Sequence, residues 1–167
     1  MIKRRKFLIL SSIFGLSPYL QGKEFTIFEK EFKKIEPTIS AVQVHMFPTS
    51  SQIPSAESMN VTQFLLETLS HKSYDKDIRA FVLEGAQELN TRESGHFRLM
   101  SHKDKEKALR AYEGTQYGSN WLSRIMTLTI EAMFSDPIYG SNINEAGWKA
   151  LGSYGGQPRP KTRYIAL

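Results

Sequence analysis

Apolar side chains recur at helical spacing along most of this chain. Val61, Phe64, Leu65, Thr68 and Leu69 fall at i, i+3, i+4, i+7 and i+8 behind Asn60, a residue type suited to capping a helix N-terminus. Ile78, Phe81, Val82, Ala86 and Leu89 repeat that spacing after Asp77, and Ser101 with Asp104 forms a capping arrangement ahead of Ala108, Leu109 and Tyr112. From Asn120 to Phe134 the pattern changes. Leu122, Ile125, Met126, Thr129 and Met133 make one stripe, while Trp121, Leu128, Ile130 and Phe134 make the other faces apolar as well. A helix that is apolar nearly all round is buried on several sides, which predicts a central core helix or one whose second face meets another subunit.

Pro37 suits the first turn of a helix and Pro48 follows a break, so the two bracket Thr38 to Phe47, with Ile39, Val42 and Met46 on one side. Phe25 to Ile35 reads equally as helix or strand. Between Pro48 and Asn60 a run of Pro, Thr, Ser and Gln predicts a loop. From Asp136 onward the periodicity fades, and Gly, Pro, Asn and aromatic residues accumulate. The fold class expected is therefore all-α: a small irregular helical bundle with an irregular C-terminal tail rich in Gly, Pro and aromatics.

The N-terminus reads as an address. Lys3, Arg4, Arg5 and Lys6 precede an uncharged, mostly apolar stretch from Phe7 to Leu20, too short to span a bilayer comfortably. Arg4-Arg5-Lys6-Phe7-Leu8 matches the R-R-x-F-L core of the twin-arginine signal, with Arg4, Arg5, Phe7 and Leu8 as the targeting residues. Two guanidinium forks can each engage a carboxylate bidentately, which lysine cannot copy. An ordinary secretory n-region containing two arginines is the alternative, since Lys3 and Ile9 depart from the usual pattern. Residues 1–22 are assigned to the signal and residues 23–167 to a single helical domain.

Charge and composition narrow the rest. The chain of 167 residues carries a formal charge of +5, with 22 basic against 17 acidic side chains. Four of the basic residues and none of the acidic ones lie in the first 22 positions, so the body is close to neutral. That removes the electrostatic case for a nucleic-acid partner. With no cysteine, the chain cannot hold disulfides, thiolate nucleophiles, iron–sulfur clusters or c-type haem. No G-x-G-x-x-G, P-loop or G-x-S-x-G is present. His45, His71, His96 and His102 are the candidate metal ligands, and they would serve a stand-alone periplasmic metal-binding protein or enzyme. Their spacing fits no H-E-x-x-H or i, i+4 pair, and His96 and His102 are the only two close in sequence. A folded-export signal on a body without a visible cofactor site points to a partner.

The tail gives that partner a character. Phe134-Ser135-Asp136-Pro137-Ile138-Tyr139-Gly140-Ser141-Asn142, then Gly147-Trp148-Lys149 and a glycine-rich close, resembles the gluconate 2-dehydrogenase subunit 3 family. Met46-Phe47-Pro48-Thr49 and Pro54-Ser55-Ala56-Glu57 are similar to that family's early proline-bearing loop, and its members typically bear a twin-arginine signal. Ser141 departs from the pattern, where a second glycine is usual. The resemblance implies a non-catalytic small subunit without its own cofactor. Its partner would be an FAD-dependent large subunit of the glucose-methanol-choline type. A multihaem cytochrome c often completes such periplasmic or membrane-associated complexes. Asp136, Pro137, Tyr139, Gly140, Asn142 and Trp148 would then shape the docking loop, and the translocase of the twin-arginine route would be a transient partner.

Overall fold

The computed structural model describes residues 26–50 and 52–163. Within them the chain is all-helical: α1 (Ile27–Met46), α2 (Val61–Ser70), α3 (Lys76–Arg92), α4 (His102–Glu113), α5 (Gln116–Phe134) and the short α6 (Ala146–Ala150). Three 3₁₀ turns, Phe97–Leu99, Pro137–Tyr139 and Ile143–Glu145, complete it. Arg4, Arg5, Phe7 and Leu8 lie outside the described residues.

The first helix settles the helix-or-strand ambiguity for Ile27 to Ile35 in favour of helix, Phe25 lying outside the described residues, and corrects the expected helix start at Pro37. Thr26 and Glu29 form a capping box, with the Glu29 amide donating to Thr26 Oγ1 and the Thr26 amide donating to Glu29 Oε2 at 2.6 Å. The helix then runs through Pro37 without ending. Phe32, Ile35, Ile39 and Val42 form one buried stripe on both sides of the proline. Pro37 itself lies on the exposed face, as does Lys33, whose carbonyl loses its helical donor. Burial of four large side chains outweighs one missing hydrogen bond.

Two other helix starts differ from expectation. At α3 the cap is Asp75, whose carboxylate accepts from the Asp77 and Ile78 amides. At α5 the cap is Thr115, which accepts from the Gly118 amide at 2.9 Å and begins the helix a turn before Asn120. The Ser101 cap of α4 stands where the sequence places it, and Ala108, Leu109 and Tyr112 form its buried edge.

Helix α5 is the centre of the bundle, packing on α1, α2, α3 and α4. Its Trp121 fills a notch in α3: a Cβ on Gly85 would come within 2.0 Å of the indole, and the indole N–H donates to the Val82 carbonyl at 3.1 Å. The Tyr112 hydroxyl donates to the Gly85 carbonyl from the α4 side, and burial raises its pKa. Fully buried Gln43 of α1 joins three helices, donating to Thr129 Oγ1 and accepting from Thr62 Oγ1. The expected stripe of α5 is corrected at Met126, which is 44% exposed. A smaller cluster of Ala56, Met59, Val61, Ala132 and Met133 packs under the loop of residues 48–60 and the C-terminal tail.

Candidate partner-docking site

A helix end leaves its last carbonyls without intrahelical donors. The tail supplies donors to those of α5. The Ser141 hydroxyl donates to the Ala132 carbonyl at 2.8 Å, the Trp148 indole N–H to the Phe134 carbonyl at 2.7 Å, and the Asn142 side-chain amide to the Ser135 carbonyl at 2.8 Å. Asn142 also accepts from the Gly147 amide, so one buried side chain pins both ends of the turn. Gly147 has no room for a side chain, because a Cβ there would lie 2.2 Å from the Met133 carbonyl oxygen. Gly140 adopts φ +86, and its carbonyl accepts from Asn60 Nδ2 at 2.9 Å. Asn60 thus corrects the expected helix cap: it sits at the cap position of α2 in left-handed conformation, makes no side-chain cap, and reaches across to the tail instead. Ser141, in place of the second glycine, has no positive φ, so a side chain is accommodated there.

Two arginines fasten the tail from outside. Arg159 donates to Asp136 Oδ2 at 2.8 Å and to Glu145 Oε1 at 2.9 Å, with its guanidinium 4.6 Å above the Trp148 ring. The Arg159 hydrogen bond, supported by the Ile138 amide, holds the Asp136 carboxyl below its ordinary range. Arg163 donates to the Ile138 carbonyl and pairs with Glu67 of α2 at 2.9 Å. Of the six expected docking residues, Asp136, Gly140, Asn142 and Trp148 are therefore brought together as internal fastenings, while Pro137 and Tyr139 are half-buried beside them. The loop so shaped presents other apolar groups outward. Ile143, Leu151 and Tyr154 are exposed, Tyr154 at 79% and Leu151 at 60%. Sequence reading missed these three as candidates. Their one signal was large apolar side chains within an irregular, glycine-rich stretch.

The family model for gluconate 2-dehydrogenase subunit 3 matches residues 34–156, from within α1 to the glycine-rich close beyond Trp148. The chain belongs to the gluconate 2-dehydrogenase subunit 3 family. That family is one of dehydrogenase-complex subunits. No curated protein and no solved structure matches the chain.

The histidines of this subunit 3 chain are arranged differently from their sequence spacing. His45 and His102 come together, with ring centroids 4.4 Å apart, whereas His96 and His102 are not paired. His45 Nε2 lies 2.7 Å from Glu106 Oε2, and His45 together with Arg110 holds that carboxyl below its ordinary range. His71 Nδ1 instead accepts from the Ser73 amide and lies 2.6 Å from the Ser73 hydroxyl. Among the described residues, no three His, Asp or Glu side chains of the subunit converge as metal ligands, and no helix is long and apolar enough to cross a membrane.

Proposed function

We propose that this chain is the non-catalytic small subunit of an exported, FAD-dependent dehydrogenase complex of the gluconate 2-dehydrogenase type. It carries the complex through the twin-arginine route by means of Arg4, Arg5, Phe7 and Leu8, and it docks the flavoprotein subunit at its C-terminal loop. Asp136, Pro137, Tyr139, Gly140, Asn142 and Trp148 shape that loop; Ile143, Leu151 and Tyr154 face the partner. The flavin belongs to the large subunit and any haem c to a cytochrome subunit, and the assembly works in the periplasm or at the membrane. The observation that carries this reading is the family match over residues 34–156, which includes the whole fastened loop. Exposed aromatic and aliphatic groups on a rigidly tied loop are suited to anchoring an interface.

Replacing both Arg4 and Arg5 with Lys tests the escort role. The chain and the flavoprotein subunit are then both expected to stay in the cytoplasm, measured as flavin-dependent dehydrogenase activity in cytoplasmic and periplasmic fractions. Export of active flavoprotein alongside the double variant would overturn the reading.

A further inference from the structure

The outward face of α5 carries little charge for so long a helix. Of its 19 residues only Arg124 and Glu131 are charged, whereas α1 and α4 show solvent runs such as Lys30-Glu31, Lys33-Lys34 and Lys103-Asp104-Lys105. Gln116, Asn120, Ser123, Thr127 and Ile130 are all exposed and follow one another at steps of four, three, four and three residues. They share one face of the helix, a mostly polar seam along which a second helix can lie. Met126 and Ile130, 44% and 41% exposed, supply its apolar contacts. A groove of about 570 Å³ borders the seam on the α3 side, along Ile78, Phe81 and Arg124. Another of about 300 Å³ borders it on the other side, along Met46, Leu109 and Met126.

The two charges indicate what lies on the seam. Arg124 and Glu131 are seven residues apart on one edge, both acting on the Tyr74 hydroxyl, and neither is in an ion pair among the described residues. We infer that the α5 face pairs with the same face of a second copy of this chain, antiparallel about a two-fold axis. In that arrangement Arg124 of each copy lies beside Glu131 of the other, twice over, as an isologous contact requires. A parallel arrangement would leave each pair unmatched. Centred between Arg124 and Glu131, the two helices overlap over about 14 residues, roughly 21 Å, too short a contact to reach the roughly 800 Å² per partner of a standard interface, so the pairing is weak and depends on concentration.

Sedimentation equilibrium of the full chain tests it, read as mass against concentration relative to the 19.1 kDa monomer. Arg124→Glu and Glu131→Arg are each expected to weaken association roughly fivefold or more, because each converts two attractive pairs into two repulsive ones. The double exchange, R124E with E131R, restores the wild-type constant. A monomer at every concentration overturns the inference. So does a dimer indifferent to both reversals, or single losses that the double exchange does not recover, the result expected if a flavoprotein subunit covers this face. The flavoprotein docking proposed above is read separately, by co-purification, so either reading can fail without the other.

Discussion

One guanidinium, that of Arg159, meets two carboxylates and an indole at once, and this concentrates the hold on the tail in a few atoms. Asp136 is the partner whose protonation can loosen it. Its folded-state carboxyl is held below the ordinary value, chiefly by Arg159. The stability this contributes is therefore complete above the unfolded carboxylate pKa of about 4 and is lost as pH falls through the lowered value. Asp136→Asn is expected to lower the thermal midpoint at neutral pH. The gap between variant and wild type should narrow steadily on acidification below about pH 4. A constant gap from pH 7 to pH 3, followed by far-ultraviolet circular dichroism, would show that the Asp136 charge does not contribute. Asn142 works by a different means. Buried and pinned at both ends of its amide, it answers the Ser135 carbonyl and the buried Gly147 amide, and a buried group left unmatched costs about 1–3 kcal/mol.

At the scale of the element, α1 is the instructive case. Pro37 removes a donor from the middle of a 20-residue helix and touches solvent, so Pro37→Ala replaces no packing and restores the hydrogen bond to the Lys33 carbonyl. Unfolding in urea should show a gain of about 1–3 kcal/mol with an unchanged slope; a loss would mean that the proline itself organises the helix. The sequence made much of the bundle readable, because periodicity and caps are local. Ala108, Leu109 and Tyr112 behind Ser101 needed only the residues beside them. It misjudged elements whose outcome is set at a distance. Pro37 reads as a start until Phe32 and Ile35 are seen to share a core with Ile39 and Val42. Asn60 reads as a cap until its amide is found on a carbonyl 80 residues away. In the docking loop, the motif residues were visible but their inward direction was not, and the outward Leu151 and Tyr154 carried no pattern to mark them.

For the whole molecule, these arrangements separate what holds the loop from what it offers. Because Leu151 and Tyr154 are exposed, Leu151→Asp combined with Tyr154→Ala should leave unfolding within about 0.5 kcal/mol of wild type. Co-purification of the flavoprotein subunit should nevertheless fall at least tenfold, roughly the effect of losing a single interface anchor of over 1 kcal/mol. Undiminished recovery of the complex would place the contact elsewhere on the subunit. Charge supports the same division, since the basic residues beyond the loop are partly spent in binding it: Arg159 to Asp136 and Glu145, and Arg163 to the Ile138 carbonyl, with Glu67 of α2 as its second partner.

The dangling carbonyls of α5 are answered by residues synthesised after it, Ser141, Asn142 and Trp148. A nascent chain halted in mid-translation thus holds its central helix with an open end. Only when those later residues emerge from the ribosome can that end of the helix close.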